Sequence, residues 1–192
     1  APDAERPGKN VPVRWPALPA LPGQPILPLE RLLHPHEQVL AFVAIAVIAD
    51  APTQAVLEVG STGAVKAFVA GSAVLARDVE RPFGSDQDAA PLQLAAGANL
   101  LLVKVCHQEG NRCRFAARLR GVDGARLTGV RYSTERADLD AAIAALGTDG
   151  AGAMQAELDL GGRSTWPIDE AKGMDALRLA WLGLPSGELR RG

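Results

Sequence analysis

Few side chains in this 192-residue chain have the type and spacing for chemistry. Cys106 and Cys113 are the only two cysteines, and His107 stands beside the first. These three lack the CxxC or HxxxH spacing and the fourth ligand of a zinc site, so no metal is expected. His34 and His36 flank Pro35, which suits a proline-bent loop with solvated imidazoles better than a metal clasp. Asp86 and Asp88 fall in a polar stretch from Asp78 to Ala90. Paired acids can bind calcium or do acid–base work. No third ligand and no partner base can be named here, and an ordinary surface loop is the expectation. Gly60-Ser61-Thr62-Gly63 is glycine-rich, but a phosphate-cradling loop needs a following helix and a well-placed Lys. A strand comes next instead, so these residues read as a hairpin turn. There is no GxSxG or HExxH motif, and no nucleophile–base pair or paired carboxylates of a cleft can be assigned. No catalytic residue and no cofactor is expected.

The elements that position these residues are extended. Leu94 to Arg120 contains an apolar run, Leu100 to Cys106, then a turn at Glu109-Gly110-Asn111, then an alternating run from Cys113 to Arg120. This reads as one β-hairpin. Cys113, Phe115, Ala117 and Leu119 share one face of the second strand; Arg114, Ala116, Arg118 and Arg120 share the other. In such a hairpin Cys106 and Cys113 fall on one face if the loop count is even, close enough to oxidise. That would imply a periplasmic, cell-surface or secreted setting. The other reading is two buried free thiols acting as small hydrophobes. The grouping Arg112, Arg114, Arg118 and Arg120 reads as a solvated strand face rather than a phosphate site.

Gln38 to Asp50 is a second strong strand, apolar on both faces, with Leu40, Phe42 and Ile48 set against Val43 and Val47. A strand greasy on both sides must be covered on both sides, and the C-terminal segment is the available cover. Further strands are expected at Gln54 to Val59, Ala64 to Ala70, Ala73 to Ala76, from Leu92 toward Gly97, and at Arg126 to Tyr132. The period changes at Ser133. Asp138 to Leu146, Ala151 to Leu160 and Ile168 to Leu184 read as helices, the first capped by Ser133 or Thr134. Leu177, Ala180, Trp181 and Leu184 form an apolar stripe on the last.

Three regions result. Residues 1–24 are a proline-rich lead-in with PxxP spacings at Pro16, Pro19 and Pro22, and Val11, Val13 and Trp15 can form a short edge strand within it. Residues 25–132 form a β-sandwich, opening on a short strand and a helical turn from Ile26 to Leu33. Residues 133–192 are a helical extension, compatible with the start of a helical repeat region. The fold class is mainly β: an antiparallel β-sandwich with a C-terminal α-helical extension. The opening without Met and the close at Gly-Glu-Leu-Arg-Arg-Gly read as the ends of an excised piece of a longer protein.

The net charge of −2 offers no electrostatic funnel for nucleic acid, and no apolar run is long enough for a membrane span. The abundance of Ala, Gly, Arg and Pro with little Lys is typical of a GC-rich bacterial genome. Eight aromatic residues are present in all (three Trp, one Tyr, four Phe). Sugar-binding sites hold rings on exposed aromatic faces. Phe42, Phe68 and Phe115 lie in core strands and Trp166 and Trp181 in the tail, which leaves Trp15, Phe83 and Tyr132 as candidate platforms.

Val65-Lys66-Ala67-Phe68-Val69-Ala70-Gly71, followed by Leu94-Ala95-Ala96-Gly97-Ala98-Asn99 and Leu100-Leu101-Leu102-Val103-Lys104-Val105, resembles the galactose-binding-like jelly rolls. It is most similar to the sugar-binding-type domain at the N-terminus of glycoside hydrolase family 2 enzymes. The likeness covers about residues 38 to 120. Two positions depart from the pattern: Ala70 replaces the Asn before the turn glycine, and Ala98 replaces an aromatic. The resemblance implies a jelly-roll sandwich and a noncatalytic role, in modules embedded in large bacterial multidomain proteins. The expected function is a structural or protein-interaction module, with a protein or neighbouring domains of the same chain as partner. The alternative is a carbohydrate-binding module with a glycan as ligand.

Overall fold

The computed structural model describes residues 17–18, 26–32, 39–107, 112–152, 176–179 and 181–182. In chain order the elements are β1 (Ala17–Leu18), β2 (Leu27–Pro28), α1 (Leu29–Leu32), β3 (Val39–Ala49), β4 (Thr53–Ser61), β5 (Val65–Val69), β6 (Ser72–Arg77), β7 (Asp88–Leu94), β8 (Gly97–His107), β9 (Arg114–Arg120), β10 (Val130–Ser133), α2 (Arg136–Ala144), β11 (Ala176–Leu179) and β12 (Trp181–Leu182). The chain is mainly β. One sheet has five antiparallel strands in the order β10-β3-β8-β5-β6. The other has four, in the order β2-β9-β4-β7. β11 joins the first sheet parallel to β3, and β12 lies parallel to β1. Among the described residues no helix is long and apolar enough to cross a membrane.

The two sheets face one another across a core. β4 turns Ala55, Leu57 and Val59 inward, β7 turns Ala90, Leu92 and Leu94, and β9 turns Phe115 and Leu119. The first sheet answers with Val43, Val47, Leu101, Val103 and Val105. Period-2 alternation along these strands produces this layer. Ala117, expected on the inward face of β9, is exposed at the rim, where β2 no longer pairs.

β3 and β8 pair over their full lengths, from Val39 opposite His107 to Ala49 opposite Gly97. Their second face builds a separate apolar layer of Leu40, Phe42, Ala44, Ala46, Leu100, Leu102 and Cys106, with Phe68 of β5. Leu139 and Ala142 of α2 pack into it and are fully buried. The tail therefore covers part of this face, as the doubly apolar strand requires.

Consecutive strands mostly alternate between sheets, which corrects two expectations. The stretch Leu94 to Arg120 is not a hairpin: β8 pairs with β3 and β5, whereas β9 pairs with β2 and β4. Nor do Gly60 to Gly63 close a hairpin, because β4 and β5 lie in opposite sheets. A Cβ at Gly63 would clash with the Cys106 carbonyl, and Cys106 N–H donates to the Ala64 carbonyl at 2.8 Å. The glycine lets the crossing chain press against β8. Between consecutive strands of the sandwich, only β5 and β6 form a hairpin, turning through Ala70 and Gly71, both at positive φ.

The crossing from β7 to β8 is held by Asn99, which is buried. Its side-chain oxygen accepts from Ala95 N–H at 2.9 Å. Its amide donates to the carbonyls of Ala95 at 2.9 Å, Gly97 at 3.1 Å and Val47 at 3.3 Å. The G-x-N spacing thus encodes a knot of backbone hydrogen bonds, with Gly97 at φ 90°.

The tail differs from expectation in part. α2 begins at Arg136 with Glu135 as its N-cap and no side-chain cap. Ser133 Oγ accepts from Glu135 N–H at 3.2 Å, one residue short of capping. Helical backbone resumes at 147–152, and the remainder of the expected helix 151–160 lies outside the described residues. Where a helix is expected over 168–184, residues 176–179 and 181–182 are extended. β10 pairs only with the far half of β3, and β11 fills the edge it leaves beside Val39 to Phe42. An open row of backbone donors and acceptors there favours a strand.

Two outcomes test this arrangement by urea denaturation. Asn99→Ala should lose about 3 kcal/mol, because it leaves several buried backbone groups unmatched. Ala70→Asn should gain about 0.5 kcal/mol, because Asn tolerates the left-handed conformation that Ala70 holds at φ 47°.

Candidate functional site

The polar residues with chemical potential gather where the loop after β6 crosses the four-stranded sheet. Gly60 is the last outward position of β4. A Cβ there would clash with the Gly84 carbonyl and lie 3.2 Å from Phe83 Cε2. The absent side chain lets the loop lie directly on the sheet. Gln87 ties it down, donating to the Pro82 carbonyl at 3.0 Å and accepting from Ser61 N–H at 3.3 Å. Arg81 N–H donates to the Thr62 carbonyl at 2.9 Å.

Asp86 and Asp88 are engaged by arginines. Asp88 pairs with Arg77 Nε at 3.0 Å and with Arg81 Nη2, and its side chain is 8 % exposed. Arg77 lies on β6 and Asp88 on β7, so this pair bridges the two sheets along one side of the sandwich. Asp86 pairs with Arg118 Nη2. Glu58 accepts from Arg118 Nε at 2.6 Å and from Arg120 Nε at 2.9 Å. The cross-strand neighbours Glu58 and Arg118 are directly opposite in register, the arrangement in which opposite charges stabilise a sheet. In this arrangement the acids neutralise arginines and lash a loop to the sheet; among the described residues no three His, Cys, Asp or Glu side chains gather around a common point. Arg118 and Arg120 are correspondingly part of a paired network, Arg112 is exposed and Arg114 is half-buried. Sequence patterning could not have found Glu58, Arg77 and Arg81, since their partners are set by sheet register.

Cys106 and Cys113 are both buried, and no disulfide joins them. The hairpin that would have set them face to face is absent. Cys106 belongs to the layer beneath α2, and Cys113 to the core between the sheets. Burial first, then the charges of Glu30 and Cys106, push the Cys113 thiol up to about 12. Glu30 Oε2 accepts from Cys113 N–H at 3.2 Å. Such a thiol is a packing group rather than a nucleophile at neutral pH. His107 is buried at the end of β8, while His34 and His36 lie outside the described residues.

Of the aromatic candidates, Trp15 lies outside the described residues. Phe83 is half-buried in the loop beside Gly60. Tyr132 on β10 is 49 % exposed, and its hydroxyl accepts from Leu119 N–H of β9 at 3.4 Å. It spans the sandwich on the side opposite the Arg77–Asp88 bridge. The expected core aromatics Phe42, Phe68 and Phe115 are all buried. Lys104 is buried with its ammonium 5.9 Å from the Phe42 ring centre, and Lys66, its cross-strand neighbour, stands 4.9 Å from that of Phe68. Each cation gains from the ring's negative face.

The raised Cys113 pKa has a sign. The unfolded thiol ionises near its ordinary value, between about 8 and 9, and the native thiol only near 12. Its contribution to stability is complete below the lower value and is lost as pH rises toward the upper one. Urea midpoints should therefore fall more steeply above pH ~9 in the unaltered chain than in Cys113→Ala; equal slopes would contradict the assignment. Compared with protein-family models, curated proteins and solved structures, the chain matches none.

Proposed function

We propose that this chain is a noncatalytic structural and protein-interaction module of a larger bacterial protein, a jelly roll of the galactose-binding-like kind. The observation that carries this reading is the second apolar layer on β3 and β8. It accepts Leu139 and Ala142 of α2, and β11 returns to the edge of β3. A sandwich that recruits later segments of its own chain can set the position of further domains. The charged residues of the loop face support the same reading, since they are used to lash the loop and bridge the sheets. The sandwich order, with strands passing back and forth between two sheets, is compatible with the jelly-roll resemblance.

Carbohydrate binding is the second reading, favoured by one observation: Tyr132 keeps half of its surface exposed. Its hydroxyl is already used at Leu119, and Phe83 lies half-buried beside Gly60.

Hydrogen exchange on Leu139→Asp tests the structural reading. Placing a carboxylate in the outer layer should cost roughly 3 kcal/mol and raise exchange in β3 and β8 together with α2. Fraying of α2 alone, with both strands still protected, would overturn it. A glycan array probed with the intact chain should give a flat response; a specific signal abolished by Tyr132→Ala would install the sugar reading in its place.

A further inference from the structure

Several sheet edges among the described residues are occupied or carry something that discourages another strand from pairing there. β10 and β11 occupy the outer edge of β3. On β9, past the two residues paired with β2, Leu119 N–H is taken by the Tyr132 hydroxyl. β6 carries an extra residue, Val74, that has no register partner on β5, and Arg77 Nη1 covers the Ala76 carbonyl at 2.9 Å. A bulge and a charged side chain are ordinary protections for an edge.

β7 is guarded differently. It runs seven residues in unbroken register with β4 and, among the described residues, pairs with no other strand. Its exposed positions Ala89, Pro91 and Gln93 carry no charge, and Asp88 at its end is held by Arg77 and Arg81. Without Pro91 this would be a long, neutral, regular edge. Pro91 stands opposite Val56 in the ladder. A proline fits there only if its nitrogen points away from β4, toward the open side. That is where an added strand would need an N–H donor.

The best-matched strand to add is β7 of a second copy. An antiparallel twofold through residue 91 would set Ala89 opposite Gln93 and Ala90 opposite Leu92, with every side chain on its proper face and no like charges opposed. We infer that Pro91 is the residue that keeps two copies of this chain from joining their four-stranded sheets through β7. Partners are then met through the faces and loops of the sandwich, not through strand addition.

The test compares the solution mass of the unaltered chain, Pro91→Val and Pro91→Lys by light scattering across the micromolar range, with circular dichroism to confirm folding. The unaltered chain should be a monomer. Pro91→Val, which restores the donor, should form a concentration-dependent dimer. Pro91→Lys restores the donor but adds a repelling charge, and should remain a monomer. A folded Pro91→Val that stays monomeric, or an unaltered chain already dimeric, would overturn the inference. Should Pro91→Val not fold, Pro91→Ala is read in its place by the same criteria.

Discussion

The constraint on which this molecule rests is the need to cover both faces of the β3–β8 ladder. Two eleven-residue strands pair end to end, and nearly every described side chain on either face is apolar. Burial of such surface is worth about 25 cal/mol per Å², but only if something lies on each side. The four-stranded sheet covers one face. On the other, α2 contributes Leu139 and Ala142. The ladder is thus the middle layer of three, and α2 is part of the fold rather than an appendage to it.

With that layer in place, the rest of the sandwich is a matter of closing its sides. One side is bridged by Arg77 and Asp88, the other by the Tyr132 hydroxyl and Leu119. The loop between β6 and β7 is pressed onto the sheet through the bare backbone of Gly60 and secured by Arg81, Gln87 and the Asp86–Arg118–Glu58 network. Surface ion pairs are individually weak. Asp88 is the exception, being nearly enclosed between two guanidinium groups.

The strands are legible in the sequence because alternation and double apolarity are local signals. A strand is expected over Gln38 to Asp50 and observed over Val39–Ala49; the core positions of Phe42, Phe68 and Phe115 come from the same patterns. Partners are not legible. Alternation at Cys113 to Arg120 says that a strand is half-buried, not which sheet it joins, and a short polar linker serves a hairpin or a crossing equally well. That ambiguity accounts for the mistaken hairpins, on one of which a shared face for the two thiols was conditional. The candidate site suffers in the same way. Asp86 and Asp88 stand out as acids, but the arginines that neutralise them come from strands whose register no local pattern reveals. At 176–179 the apolar spacing suits a helix, and a vacant stretch of sheet edge prevails over it.

The back-and-forth passage between sheets has a bearing on how the nascent chain acquires its shape. Leu27 waits for Phe115, and Val39 waits for His107. Only the β5–β6 turn can close early. Non-local pairing of this kind makes assembly slow, and the greasy ladder strands stay bare in the meantime. During synthesis the first of them emerges well before its mate, so the ribosome releases a sticky, unmatched strand for an interval that a hairpin architecture would have avoided. The strand order itself thus leaves apolar surface and an unpaired edge exposed until the later strands are made, the kind of species from which aggregation starts.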